Sequence, residues 1–223
     1  DFYYMIPKKT KIGGKYGTSI AINFATSYVP KREFINDLNT SRKDGPISRQ
    51  SYKTQYFSRS DSILYQDFNI EIKRKINKHL KFNINYFNFI FEDRAVLVAQ
   101  KHELIHAQIG VLDLTYKINR KHSLRWEFQG LWSKDDRGDW AFGQIEYTFS
   151  PHWYVALLDQ YNYGNPKPDE QFHYPLISAG YINGSHRFSF QYGKQRAGVF
   201  CVGGVCRAVP ASNGLTFTFT SSF

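Results

Sequence analysis

Apolar and polar residues alternate along several stretches of this chain. In the segment 214–223, Leu215, Phe217 and Phe219 fall on one side of an extended backbone, and threonines fall on the other. Successive side chains of a β-strand point to opposite faces of a sheet, so this spacing predicts a strand with one apolar face and one small polar face. The same two-residue period recurs at 80–86, where it is unbroken.

Ten strands are predicted in this way along the 223 residues. Their connections alternate in length without exception. The second, fourth, sixth and eighth strands end in short turns, among them Asn183-Gly184, a dipeptide typical of tight hairpins. The other connections are longer, and the polar stretch 30–61 is the longest. The predicted strands lie at about 16–29, 62–75, 80–86, 102–118, 124–132, 144–149, 153–163, 174–182, 188–193 and 214–223.

The composition indicates which environment the two faces of these strands meet. Aromatic residues make up 17% of the chain, yet the mean hydropathy is −0.49. This combination is expected when one face of each strand contacts lipid and the other contacts water, and short turns alternating with long loops are typical of outer-membrane barrels. No apolar run approaches the roughly 18 residues of a membrane-spanning helix. The sequence therefore predicts an all-β, antiparallel transmembrane β-barrel in the outer membrane.

We expect residues 1–223 to form a single barrel domain with about ten strands. The chain begins abruptly, with an aromatic run and the turn Gly13-Gly14. This beginning suggests the C-terminal part of a longer protein, in which case the barrel would have more strands, for example 12–14. A soluble barrel or sandwich is the alternative, because it also alternates. Ten strands rich in Phe, Tyr and Trp would, however, direct more bulk inward than a small barrel interior holds.

The charge of the chain bears on its partners. Lys and Arg exceed Asp and Glu by 29 to 19, which gives a net charge of +10. The basic residues are spread through loops and turns and do not form a block, so the sequence does not predict a nucleic-acid partner. Anionic lipid headgroups and lipopolysaccharide are the better match for basic side chains at strand ends.

One five-residue motif carries potential chemistry. The run from His102 through Glu103 to His106 matches H-E-x-x-H, in which a helix directs both imidazoles at zinc and the Glu activates water. On a strand, His102 and His106 would share a face while Glu103 pointed away. We favour the strand, with the zinc-dependent hydrolase as a remote alternative. We accordingly predict no catalytic residue, no metal ligand and no cofactor.

The two cysteines are the more informative pair. Cys201 and Cys206 flank Gly203-Gly204, a turn that can bring their Cα atoms within disulfide range. We predict a disulfide, because a secreted or envelope protein meets an oxidising compartment. The bond would staple the outward loop between the last two predicted strands.

Polar residues on the second face of the strands form a third group. If the apolar face meets lipid, this face lines the lumen. Charges of both signs on neighbouring strands favour a hydrogen-bonded network that fills the barrel, and a selective aqueous pathway is the alternative. The predicted lumen-facing residues are Glu71, Lys73, Lys81, Arg125, Glu127, Gln129, Gln144, Glu146 and Gln191.

Two resemblances extend this interpretation. The last predicted strand ends in Phe223 and resembles the closing strand of bacterial outer-membrane barrels, whose terminal Phe is read by the barrel assembly machinery. The segments IGGKYGT (12–18), LDQYNYGN (158–165) and FCVGGVCRAVPASNGLTFTFTSSF (200–223) resemble the C-terminal portion of a family of uncharacterised outer-membrane proteins of the Bacteroidota. The resemblance covers most of the chain and implies the outer membrane of a Gram-negative bacterium. It implies no functional residues, because that family has no assigned activity.

The expected function follows from location more than from chemistry. We predict a non-enzymatic barrel that is an accessory or structural component of a cell-envelope transport or secretion assembly, with other envelope proteins as partners. A small passive pore is the alternative.

Overall fold

The computed structural model describes residues 1–35, 51–54, 57–92, 104–135 and 137–222. Within those ranges the regular secondary structure is β-strand apart from one short 3-10 helix at Pro168–Glu170, and no helix there is long and apolar enough to span a bilayer. The strands are β1 (Phe2–Ile6), β2 (Thr18–Tyr28), β3 (Arg32–Ile35), β4 (Ser51–Thr54), β5 (Ile63–Lys75), β6 (Leu80–Glu92), β7 (Leu104–Lys117), β8 (His122–Trp132), β9 (Trp140–Phe149), β10 (Trp153–Tyr161), β11 (Leu176–Asn183), β12 (His186–Gln195), β13 (Gly198–Val202), β14 (Val205–Val209) and β15 (Ser212–Ser221).

Eleven of these strands form one antiparallel sheet. Its order is β1-β2-β5-β6-β7-β8-β9-β10-β11-β12-β15, and the remaining strands form the separate hairpins β3–β4 and β13–β14. The predicted all-β antiparallel class is confirmed. Each of the ten predicted segments overlaps one strand of the sheet, and β1 is the eleventh.

Some strands extend beyond their predicted bounds, because backbone pairing continues where the alternation of apolar and polar side chains has ended. The clean pattern ends at residue 86, but β6 continues to Glu92, which pairs with Leu104 of β7. Backbone hydrogen bonds to two long neighbours extend the strand beyond the part that side-chain alternation reveals. Predicted loops also contain strands: β3 and β4 lie within the stretch 30–61, and β13 and β14 lie within the last loop.

The register aligns apolar residues across the sheet. One row runs through Ile20, Ile72, Ile84, Leu112 and Phe128 on five successive strands. This register places the apolar residues of all five strands on the same face of the sheet. A shift of one residue in any pairing would move the apolar side chains of that strand to the opposite face. This face is exposed to a large extent, with Ile84 at 42% and Phe128 at 51%.

A second apolar row crosses the other half of the sheet and begins two positions beyond Gly143, the partner of Phe128. Ile145, Leu157, Ile177, Tyr192 and Leu215 occupy successive partner positions on β9, β10, β11, β12 and β15. All five are among the large exposed hydrophobic residues. We call this surface, with the row described above, the apolar face. Contiguous exposed apolar surface of this extent is rare on soluble monomers and marks contact with a partner or with lipid.

The opposite side of the sheet, which we call the polar face, carries hydrophilic residues. One row contains Lys81, Thr115, Arg125, Glu146 and, two strands further along, Ser178. The parts of this face on β9–β12 are buried, whereas the apolar face is not. The burial pattern is therefore the reverse of the pattern in a soluble half-exposed sheet, which packs its apolar face and solvates its polar one.

The connections fall at two ends of the sheet. The segments 76–79, 118–121, 150–152 and 184–185 are short and join neighbouring strands at one end, as predicted. The segment 7–17, between β1 and β2, lies at the same end and is longer than those turns. We call this end, with its five connecting segments, the short-turn rim. The opposite end carries the long connections.

Candidate functional site

The polar face holds all nine residues that the sequence predicts to line a lumen. The structure divides them into two groups. Gln144, Glu146 and Gln191 are buried, and the first two form hydrogen bonds with the β13–β14 hairpin. The other six lie on β5, β6 and β8, away from the hairpin: Glu71, Lys73, Lys81, Arg125, Glu127 and Gln129.

Charges of opposite sign pair within this second group. The Lys73 ammonium contacts the Glu71 carboxylate at 2.7 Å, and Asn83 donates to the same carboxylate at 3.1 Å. Arg125 donates from Nε to Asp113 at 2.6 Å and contacts Glu127 through Nη2. Each carboxylate on this part of the face therefore has a cation or an amide as its neighbour. Opposite charges pair here, as the expected hydrogen-bonded network requires, and the selective aqueous pathway stays the alternative.

An open hollow adjoins these pairs. It has a volume of about 360 Å³ and is lined in part by Ser19, Lys73, Lys81, Asn83 and Asp113. Its walls come from β1, β2, β5, β6 and β7, the half of the strand order that the hairpin does not cover. Its full lining has four basic residues and one acidic residue, so the hollow is polar and mainly positive.

The β13–β14 hairpin contains the two cysteines. They occupy directly opposed positions, with Cα atoms 4.0 Å apart and a bond joining their Sγ atoms. The prediction of a cysteine pair at disulfide distance is confirmed. Gly203 and Gly204 make the turn with φ of 56° and 75°. A two-residue turn with both φ values positive fits the right-handed twist of the flanking strands, and glycine adopts it at the lowest cost.

The hairpin folds back over the polar face, which corrects the expectation of an outward loop. Phe200 and Val202 are buried against Tyr154, Ala156 and Leu176. Burying an apolar side chain of this size contributes about 1.5–3 kcal/mol, so both side chains favour the folded-back position of the hairpin. The alternation within β13 directs both side chains to the sheet, and the predicted pattern did not extend there because β13 is only five residues long.

Charged side chains of the sheet hold the tip of the hairpin. Arg187 donates to the carbonyls of Val202 at 2.7 Å and Gly203 at 3.2 Å, and it also donates to the Tyr154 hydroxyl at 3.0 Å. The Gly203 amide donates to Glu146 at 2.8 Å. Hydrogen bonds to charged groups contribute roughly 1.5–3 kcal/mol each. The backbone groups at the tip are therefore satisfied by the polar face itself.

The hairpin extends along the whole length of the sheet. It leaves β12 after Gln195, at the end of the long connections, and its tip at Gly203 contacts Arg187, which follows the short turn 184–185. Glycines make room at this point. A Cβ on Gly203 would lie 2.6 Å from the Tyr154 ring, and one on Gly180 would lie 2.3 Å from it. The Tyr154 ring, which is 1% exposed, thus fits between the sheet and the hairpin tip.

Removing the disulfide is expected to loosen the hairpin without unfolding the sheet. In the chain-entropy estimate, a loop as short as the one between Cys201 and Cys206 gains about 2 kcal/mol from the cross-link. Replacing both cysteines by serine should therefore raise hydrogen–deuterium exchange at 198–209 by about 30-fold, because about 1.4 kcal/mol is a factor of ten in the opening equilibrium.

The control for this experiment is exchange in β8 and β9, which should not change. Equal exchange at 198–209 in the native protein and the double variant would contradict the prediction.

The described part of the H-E-x-x-H motif belongs to a strand. Leu104, Ile105 and His106 begin β7, whereas His102 and Glu103 lie outside the described residues. The His106 backbone amide donates to the Asp135 carboxylate at 2.9 Å, and its ring Nδ1 lies 3.2 Å from the same oxygen. These contacts lower the pKa of Asp135, with the backbone hydrogen bond as the largest cause. His106 thus fastens a loop, and the helix that the zinc motif requires is not seen at 104–106.

Several residues at the site were not singled out from the sequence. Asp113 pairs with Arg125, but it lies in the predicted strand with the weakest alternation. Arg187 lies between the predicted strands 174–182 and 188–193. Tyr154 lies in the predicted strand 153–163, on the face opposite Trp153 and Val155. The face of each residue could nevertheless be predicted, because residues two positions apart on a strand lie on the same face of the sheet. Phe223, the predicted assembly signal, lies outside the described residues.

Comparison with known proteins gives one result. A family model described as a family of unknown function (DUF6029) matches residues 1–223. No curated protein matches the chain. No solved structure matches it either.

Proposed function

The chain belongs to DUF6029, a family without a known function, and we propose that it forms an antiparallel β-barrel in the outer membrane of a Gram-negative bacterium. We further propose that it is a non-enzymatic accessory or structural component of a cell-envelope transport or secretion assembly. Outer-membrane lipid, lipopolysaccharide and the barrel assembly machinery are the partners that this location supplies. The Bacteroidota are the source that the sequence resemblance suggests.

One observation carries the proposal: the apolar face is exposed, whereas the polar face is covered on β9–β12. Phe217 on β15 is 65% exposed, whereas Gln191 on its neighbour β12 is 1% exposed. In water this arrangement leaves many large apolar side chains solvated and several polar groups desolvated, and both are unfavourable. In a bilayer the same arrangement places the apolar residues in hydrocarbon.

The strand count constrains how such a barrel would close. Ten antiparallel pairings separate β1 from β15, so these two edge strands run in the same direction. A direct β1–β15 pairing would therefore be parallel, whereas bacterial single-chain barrels close with an even number of antiparallel strands. We propose a barrel of at least twelve strands. Closure is favoured in hydrocarbon because an open sheet edge would leave backbone amides and carbonyls unpaired there.

The hairpin favours an accessory or structural role over an open pore. It occupies the polar face of β9–β12 along the length of the sheet, where an aqueous passage would otherwise lie. The open hollow near Lys81 and Asp113 is the observation that supports the pore alternative. Conductance in planar bilayers separates the two functions.

The proposed location has a direct test. The full-length protein should be recovered in the outer-membrane fraction and should migrate faster on a gel before boiling than after it, because a folded barrel resists detergent and remains compact. The boiled sample of the same fraction is the control. Recovery in the soluble fraction with the same mobility before and after boiling would refute the proposal.

A further inference from the structure

The short-turn rim has an unbalanced charge. Its five connecting segments contain seven basic residues and no acidic residue. The long connections at the opposite end carry both signs, as in the ion pair of Lys167 with Glu170. The basic residues of the short-turn rim are Lys8, Lys9, Lys11, Lys15, Lys78, Arg120 and Lys121.

Three adjacent turns of this rim form a shelf. The Lys117 amide donates to the His79 carbonyl at 2.7 Å, and the Ser150 amide donates to the Lys121 carbonyl at 2.7 Å, so the turns are fixed side by side. The hollow between them has a volume of about 610 Å³, and its lining includes Lys78 and Arg120 as well as Lys121. These three side chains make no hydrogen bond or ion pair with the described part of the chain. Their positive charge is available to an anionic ligand.

Aromatic rings border the shelf on the apolar face. Tyr116, Phe149 and Trp153 are all exposed there. The imidazoles of the turns pack on two of them: His122 lies 4.8 Å from the Phe149 ring, and His79 lies 6.1 Å from the Tyr116 ring, between centroids. Amphipathic rings between an apolar surface and a cationic one are typical of the boundary between the hydrocarbon and the headgroups of a bilayer.

We propose that the short-turn rim binds the phosphate groups of anionic phospholipids in the leaflet that this end of the barrel meets. The inference rests on the proposed function and identifies a class of ligand for it. A lipid satisfies both neighbouring surfaces at once, because its phosphate meets Lys78, Arg120 and Lys121 while its acyl chains meet Tyr116 and Phe149. An acidic soluble protein would match the charge alone and would leave the adjoining rings exposed.

The proposal is tested by lipid competition on the full-length protein in phosphatidylcholine vesicles. Phosphatidylglycerol with brominated acyl chains is added in increasing proportion to a variant in which Trp126, Trp132 and Trp140 are replaced by Phe, so that quenching of tryptophan emission reports lipid binding at Trp153, near this rim. Brominated phosphatidylcholine gives the reference. We expect phosphatidylglycerol to quench more at equal mole fraction.

A pair of matched variants locates the binding site. Each cation near an anionic surface contributes about 1 kcal/mol, or roughly a fivefold change in binding. The double variant Lys78→Gln and Arg120→Gln should therefore lose up to about 30-fold of the preference. The variant Lys31→Gln and Lys134→Gln removes the same charge from the opposite end of the sheet and should keep the preference. Added salt should weaken it, because screening acts on exposed charges.

The outcomes separate this inference from the proposed function. Equal quenching by the two brominated lipids overturns the lipid site, and so does an equal loss in both double variants. Binding of soluble polyglutamate without a preference for phosphatidylglycerol assigns the rim to an acidic protein and also overturns it. In any of these cases, gel migration that still depends on boiling would leave the proposed barrel intact.

Discussion

Replacing Ile84 by Arg is expected to lower the free energy of unfolding by about 2–4 kcal/mol in lipid vesicles, the cost of Arg on the lipid face of a barrel near the bilayer midplane. Ile84 lies between Ile72 and Leu112 in the apolar row and is exposed. In a soluble protein the same exposed position would tolerate Arg within about 0.5 kcal/mol. Reversible denaturant unfolding, followed by tryptophan fluorescence, measures the difference.

The next residue provides a matched control. Asn85 lies on the polar face, between Glu71 and Val111. Asn85→Arg adds the same side chain to the same strand, one position away, where Glu71 is a neighbouring counter-charge. We expect a change within about 0.5 kcal/mol. A larger loss for Asn85→Arg than for Ile84→Arg would show that the polar face is the packed side and would refute the lipid assignment of the apolar face.

Excising the hairpin is expected to turn a silent protein into a conducting one. With β13 and β14 in place, Phe200 and Val202 pack on the polar face and the tip is held by Glu146 and Arg187. Replacing residues 198–209 by a short flexible linker removes this obstruction from beside β9–β12. In planar bilayers the full-length native protein should show no channel events, and the excised variant should show discrete conductance steps.

The variant must remain folded for this result to have meaning. The eleven-stranded sheet does not include β13 or β14 in its pairing, so the strand order is expected to survive the excision. Gel migration before and after boiling checks this. Channel events in the native protein would favour the passive pore. Silence of a correctly folded excised variant would show that other residues block the interior, and the hairpin would then have no gating role.

Much of the fold could be read from single residues because the β-period is a local property. Leu215, Phe217 and Phe219 identify β15 without any knowledge of its partner. The face that carries Glu71, Arg125 and the other predicted polar residues followed from the same spacing. The turn at Gly203-Gly204 was also local, since positive φ at two adjacent positions is a requirement that glycine meets by itself.

The site depended on contacts between residues far apart in the chain. Arg187 reaches the carbonyl of Val202, and Glu146 accepts from Gly203 across more than fifty positions of sequence. No local period encodes such a contact, so the sequence alone left the cysteine loop outside the sheet.

The sequence by itself determined that strands form, which residues share a face and that the two cysteines can pair, because steric alternation and turn geometry act over a few residues. Only the tertiary structure decided how far β6 extends, that β1 joins the sheet and that the hairpin folds over the polar face at Tyr154. Those outcomes depend on which surfaces, far apart in the sequence, come into contact and are removed from water. Such burial is a property of the assembled sheet.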